Sequence, residues 1–380
     1  MLRTSSPVGV SSSTMPSRMA LTILLCAAVV ATALLVGARY GALLLVGLGL
    51  GLTLEGLRFG FAGPWRAFIL RREPAGIAAQ LVAIALVALV AFPLLAARPD
   101  ELIGAHAPIG IAMLGGAFVF GVCMQLVIGC GSGTLVNAGS GNAIALVALP
   151  FFVIGSFAGA YHLDWWIDLG TAPTLTLQTF FGPLGGLVAT LIGLAVVAAI
   201  ALSWASPENR RIPRRLWIAA AVVAGLAILN LVISGQPWGV VYGLGLWAAK
   251  GAQFFGADLS GSLFWSSSGN VERLQQSILT DVTSLTNIGI ILGAFAVASW
   301  RGGLSADRKR LPLNGWMVVA LAGLLMGYSA RLAFGCNVGA FFSGISTGSL
   351  HGWAWFAAAF VGSVLGVRLR SRLGLDESSR

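Results

Sequence analysis

Apolar stretches long enough to cross a bilayer recur along almost the whole chain, and they settle the class of fold before any motif is considered. A helical span needs about 20 mostly apolar residues. Runs of that kind lie at 19–37, about 40–54, 76–97, 109–128, 143–160, 184–204, 216–234, 237–255, 280–300, 313–334 and 350–367. Several are short or cut by glycine, so the expectation is an all-α polytopic membrane protein with about 9–11 membrane segments. Only 9% of the 380 residues are charged, against about 25% in soluble domains, which excludes a water-soluble enzyme. A transmembrane β-barrel alternates in segments of about ten residues, and these continuous runs exclude that as well. The first run, Met19–Gly37, is longer than the 7–15 residues of a signal-peptide core and reads as a span. A single transmembrane domain over 19–370 is expected, between a Ser-rich disordered tail at 1–18 and a cytoplasmic tail at 371–380.

The net charge of +10 reports orientation first. Of 23 basic residues, 18 fall in five clusters: Arg3 and Arg18; Arg58, Arg66, Arg71 and Arg72; Arg210, Arg211, Arg214 and Arg215; Arg301, Arg308, Lys309 and Arg310; Arg368, Arg370, Arg372 and Arg380. The loops 98–108 and 161–178 are acidic or neutral apart from Arg98. The positive-inside rule then places all five clusters and both termini in the cytoplasm, provided that 237–255 re-enters rather than crosses. Nucleic acid is not an expected partner, because the 12 Trp and 20 Phe lie mostly inside apolar segments rather than on a solvated basic face. Four cysteines in apolar surroundings make no secreted disulfide framework.

On this topology the sections 109–161 and 313–367 have opposite orientations, and they are related in sequence. Phe120-Gly-Val-Cys-Met-Gln-Leu-Val-Ile-Gly-Cys-Gly-Ser-Gly133 aligns with Met326-Gly-Tyr-Ser-Ala-Arg-Leu-Ala-Phe-Gly-Cys-Asn-Val-Gly339. At a constant offset of 206, Gly121, Gly129, Cys130 and Gly133 meet Gly327, Gly335, Cys336 and Gly339. Each unit reads as helix, Gly-Cys-x-x-Gly, a Gly/Ser-rich break and a second helix. Two inverted repeats are a transporter plan, with the site near the midplane between broken helices. Irregular backbone at that depth is tolerated where it is buried or lines a polar cavity. The breaks 129–141 and 335–348 carry Ser132, Thr134, Asn137, Ser140 and Asn142, and Asn337, Ser343, Ser346 and Thr347. Helix N-termini after them could aim N–H groups at an anion. The competing reading is that the glycines serve close helix packing.

The substrate-path candidates are Cys130, Cys336, Cys123, Gly129, Gly131, Gly133, Gly335, Asn337, Gly339, Arg331 and Gln125. Cys123 precedes Cys130 by seven residues, which in a continuous helix puts both on one face about 10.5 Å apart; packing and a place on the path are both open for it. Cys26 reads as packing in a plain span. Arg331, four residues before Gly335, is an intramembrane cation suited to an anion path, or alternatively a cap on helix C-termini. His106, His162 and His351 show no ligand spacing around the cysteines, so neither a metal nor another cofactor is expected. There is no P-loop and no Cys-x-x-Cys, which argues against nucleotide-driven transport and against a disulfide oxidoreductase.

The paired Gly-Cys-x-x-Gly units resemble the YeeE/YedE family of sulfur transport proteins, over about 40–370. Leu57-Arg-Phe-Gly-Phe-Ala-Gly-Pro-Trp-Arg66 is similar to that family's Arg-Phe-Cys-Phe-Ala-x-x-x-Arg signature, with Gly60 where the family has a third cysteine. The resemblance implies a bacterial inner-membrane permease and an hourglass-like bundle, with re-entrant cysteine loops meeting at a constriction. It also implies that Cys130 and Cys336 pass thiosulfate along by S–H···S contacts, with a small cytoplasmic sulfur-carrier protein as a possible partner beside the lipid bilayer. Thiosulfate has one soft sulfur and three hard oxygens; neutral thiols suit the first and N–H groups or arginine the second. Selenium-compound transport in the same family, a membrane thiol enzyme relaying sulfane sulfur, and a scaffold subunit are the alternatives.

Overall fold

The computed structural model describes residues 15–302 and 311–376. Arg3, Arg308, Lys309, Arg310, Arg380 and the first fourteen residues of the expected tail lie outside them. Among the described residues the chain is helical, with two isolated bridges (Gly110 to Thr171, Thr176 to Ser349) and no sheet. The first helices are α1 (Met15–Val36), α2 (Ala38–Gly56), α3 (Ala62–Arg71), α4 (Ala75–Ala97) and α5 (Ile111–Val127). They are followed by α6 (Gly131–Gly139), α7 (Ala143–Tyr161), α8 (Leu163–Ile167), α9 (Leu177–Ser203) and α10 (Arg214–Ser234). The last group is α11 (Val241–Phe254), α12 (Leu263–Ser266), α13 (Ser268–Gln275), α14 (Val282–Trp300), α15 (Leu313–Leu332), α16 (Ser343–Ser346) and α17 (Leu350–Arg372). A π-helical turn, Asn337–Phe342, leads into α16.

Ten helical stretches among the described residues are long and apolar enough to cross a membrane, within the expected 9–11. The run at 237–255 is not one of them. It yields α11, 14 residues long, or about 21 Å at 1.5 Å per residue, against a hydrocarbon core of about 30 Å. Helix α1 starts at Met15, inside the stretch read as tail; Pro16 in its first turn lacks only an N–H that would have had no helical partner. Helix α9 is kinked at Gly182 (φ 70°), ahead of Pro183, so the apolar run expected from 184 begins just past the kink.

Three parallel helix pairs form the centre, each in backbone contact through glycines. Gly47 and Gly51 of α2 lie on Thr286 and Ile290 of α14, whose Gly289 and Gly293 return the contact. Gly121 of α5 meets Ala359 of α17, and Gly362 and Gly366 meet Phe118 and Val122. Gly155 and Gly159 of α7 meet Leu324 and Tyr328 of α15, and Gly323 and Gly327 meet Ala148 and Phe152. In apolar surroundings helices associate through close packing, and small residues let backbones approach. These glycines therefore serve close helix packing, the competing reading given for the repeat. The breaks have a different backbone.

Around this centre the contacts alternate between the two ends of the sequence. Helix α6 packs on α14 and α16 on α4, while α10 lies against both α2 and α4. Helix α1 touches α2 and little else, and its large side chains, such as Leu34 and Leu35, stay exposed, as suits a face turned to lipid.

Candidate functional site

The two Gly-Cys-x-x-Gly segments adopt the same turn. Helix α5 ends where Ile128 turns left-handed (φ 52°), and Phe334 does so 206 residues later (φ 55°). Apart from these two, only Arg58 and Arg72 have positive φ among the described non-glycine residues. Bulky residues there carry backbone strain that the surrounding structure must hold. The cysteines that follow are extended, Cys130 at φ −80°, ψ −169° and Cys336 at φ −96°, ψ −167°.

The Cys130 thiol is then held by a backbone donor. Cys130 is the N-cap of α6: its sulfur accepts from the Gly133 N–H at 3.4 Å and lies 3.4 Å from the Ser132 hydroxyl. Thr134 donates to the Cys130 carbonyl at 2.8 Å and Asn137 to the Ile128 carbonyl at 3.3 Å, fixing the turn from below. Cys336 takes the same place at the start of the π-helical turn, but its side chain makes no capping hydrogen bond. Gly131 brings the two segments together: a methyl group on it would sit 2.9 Å from the Cys336 sulfur. Both cysteines are fully buried. Gly129 is packed against Thr134, and Gly335 takes φ 150°, where an added methyl group would meet the Ala340 nitrogen at 2.7 Å. Asn337 is also fully buried, and neither its amide oxygen nor its nitrogen has a partner.

A cavity of about 200 Å³ reaches Cys130 from one end of the bundle. Its walls include Glu55, Arg58, Gly60, Ser132, Gly133 and Asn137. Glu55 is paired with Arg58 at 3.4 Å and lies 3.8 Å from Arg301, so this mouth contains its own counter-charge. Gly60 is positioned by Gln80, which donates to its carbonyl at 2.8 Å and accepts from the Trp65 indole at 3.0 Å. Nothing lies within 4 Å of where a Gly60 side chain would start, so a residue there would project into free space.

The other sequence candidates separate from this centre. Cys123 is buried on α5 and does not line the cavity. The break at Ile128 also removes the continuous helix on which its alignment with Cys130 was reckoned. Gln125 is buried and donates to the Ala62 carbonyl at 3.3 Å. Arg331 lines a different cavity, at the N-terminal end of α14, with Gln236, Tyr242, Phe264, Asn270 and Arg273. The helix N-termini after the breaks are partly occupied within the chain: Cys130 caps α6, and Asn142 caps α7 by accepting from the Ala145 N–H at 3.2 Å. No group of three His, Cys, Asp or Glu side chains converges among the described residues.

The chain matches the family model described as Sulphur transport over residues 57–365, which contains both cysteine turns and the Gly60 loop. It belongs to this family. Among relatives, it is 27% identical over 337 residues to the Thiosulfate transporter TsuA of Spirochaeta thermophila, covering 82% of this chain and 92% of that protein. It is 32% identical over 154 residues to the Probable transporter YedE of Escherichia coli and 31% identical over 157 residues to that of Salmonella typhimurium. Those two matches cover 40% of this chain, and 37% and 38% of the relatives. Family and relatives are transporters, and with ten apolar helices the chain is a multi-pass membrane transport protein rather than an enzyme. The Gly60 loop lies beside Cys130 as one wall of the same cavity. Sequence reasoning passed over Glu55, Tyr242, Phe264, Asn270 and Arg273, which lie outside the two repeat units; only Arg331 pointed toward the second cavity.

Proposed function

We propose that this protein is an inner-membrane permease that brings thiosulfate, or a closely related sulfur anion, into the cell past Cys130 and Cys336. The observation that carries this reading is the pair of matched turns, which bury two thiols and bring Gly131 of the first turn against the sulfur of the second. A thiol is a soft, weak partner for the terminal sulfur, and a path must release what it binds. Supporting the substrate is the similarity, over most of both chains, to a protein named for thiosulfate transport. A sulfur-auxotrophic host supplied with thiosulfate alone should grow only when it carries this chain, and Gly60→Cys should change uptake by less than about twofold, because one soft contact at a mouth adds only a weak interaction. No growth with wild type, restored by Gly60→Cys, would mean that three thiols are required and that this chain carries another substrate.

The proposal includes the inverted arrangement of units 109–161 and 313–367, with both breaks and α11 re-entering and both termini in the cytoplasm. The contact pattern supports it, since α5 on α17 is matched by α15 on α7, and α6 on α14 by α16 on α4. Reporter fusions after Arg72, Arg215 and Arg372 should read cytoplasm, and one near Asp164 should read the outside. Opposite readings at Arg72 and Arg215 would break the span count. A small cytoplasmic protein that accepts the sulfur on release is a compatible partner.

A further inference from the structure

We propose that the groove between α1 and the α2–α14 pair is a binding site for an anionic phospholipid, with an acyl chain lying along α1 and the phosphate held by Arg18 and Arg301. The site is separate from the Cys130 cavity and does not depend on the transport reading.

Helix α1 packs along α2 and meets α14 far less. The groove between them has a volume of about 750 Å³, and apart from Thr22, Cys26, Trp300 and Arg301 its walls are aliphatic side chains and glycine. Its length fits a lipid tail. The wall on α1 runs from Leu21 to Val30, nine residues or about 14 Å at 1.5 Å per residue. Half of a hydrocarbon core of about 30 Å is about 15 Å, so the groove is as long as one leaflet is deep. It opens at the level of Arg18 and Trp300, where the apolar span of α1 begins and α14 ends. Tryptophan at such a level is an interface anchor.

The charge at this end fits a phosphate. Glu55 faces two guanidiniums, Arg58 at 3.4 Å and Arg301 at 3.8 Å, so one carboxylate serves two cations. Arg301 lines the groove and is tethered there by donating to the Gly56 carbonyl at 2.6 Å. Arg18 donates to the Trp300 carbonyl at 3.0 Å and lies over the Trp300 ring, 5.2 Å from its centre. Both guanidiniums are thus fixed beside the groove mouth, and a guanidinium fork matches phosphate oxygens. Basic pockets between membrane helices bind anionic headgroups in this way. A second hollow of about 350 Å³ shares Thr22 and Trp300 with the groove and includes Arg18 in its wall. A two-chain lipid can seat one tail in the groove and start the other in this hollow, under a single phosphate. Bulk lipid would wet any apolar groove whatever its headgroup; the arginines make this one selective.

The full-length protein in phosphatidylcholine vesicles tests this with a phosphatidylglycerol that carries a diazirine on one tail. After illumination, mass spectrometry should find the tail attached within residues 21–30 of α1. Unlabelled phosphatidylglycerol should compete, whereas phosphatidylcholine and soluble glycerol phosphate should not. Arg18→Gln and Arg301→Gln should each raise the lipid concentration for half-maximal attachment roughly fivefold, the equivalent of about 1 kcal/mol per basic residue near the surface. Arg368→Gln removes the same charge from α17 and should leave that concentration unchanged. Attachment that spares residues 21–30 overturns the proposal, and so does equal attachment of the matching phosphatidylcholine probe. An equal shift in Arg368→Gln would reduce the effect to bulk surface charge and also overturn it. Cys26 lines the groove and is the exposed one of the four cysteines; oxidative coupling of two chains through it would put a second copy there in place of the lipid.

Discussion

Cys130→Ala and Cys336→Ala should each abolish thiosulfate-dependent growth while the protein still reaches the membrane, and Cys26→Ala should change nothing. The thiols have two physical jobs that one further substitution separates. Cys130 caps α6 through Gly133, and loss of an N-cap costs about 0.5–2 kcal/mol. Cys130→Ser keeps a cap, since a hydroxyl accepts from the same N–H, but replaces a polarizable sulfur with a hard oxygen. Cys130→Ser should therefore melt close to wild type and still fail to transport. Were both alanine variants to import normally, the thiol pathway would be lost and only the backbone donors would remain.

The second large effect is on stability. A methyl group at Gly155 would overlap the Leu324 carbonyl oxygen, and one at Gly362 would overlap that of Phe118. Neither neighbour is a flexible side-chain end, so the helices must part. Gly155→Ala and Gly362→Ala should each destabilise the protein by about 1–3 kcal/mol, the usual cost of overpacking, and a larger residue should prevent accumulation. Gly115 lies on α5 with nothing within 4 Å, so Gly115→Ala is the matched control and should be neutral. Thermal denaturation in detergent measures both, and Gly155→Ala melting with wild type would refute the backbone-contact account.

The spans were legible because length and hydropathy decide them without reference to the rest of the fold. The cysteine turns were legible because the motif occurs twice, and matched spacing is informative where a lone glycine is not. What the chain did not announce is which helices touch. Gly121 can be seen in the sequence, but its contact with Ala359 joins residues 238 apart. The Arg331 cavity was half visible for a similar reason: the cation stands out in an apolar run, whereas Phe264, Asn270 and Arg273 come from a polar stretch with no period and Tyr242 is one more large side chain in the apolar run 237–255. For Cys123 packing and a place on the path were both open, and its spacing to Cys130 presumed a continuous helix, which the left-handed residue at Ile128, unusual for a β-branched side chain, interrupts.

The glycine pairs also have a consequence for synthesis. Each joins an early helix to a late one: α2 to α14, α7 to α15, α5 to α17. Gly121 leaves the ribosome 238 residues before its neighbour Ala359, an interval on the order of tens of seconds at ordinary elongation rates. During that time α2, α5 and α7 wait in the bilayer with bare backbone grooves and the strained turn at Ile128 unsupported. The contacts within the early half, such as α10 on α2 and α4, do not replace these pairings. Chains stalled before α14 should be cleared by membrane quality control as unfinished, even though most of their apolar spans are already inserted.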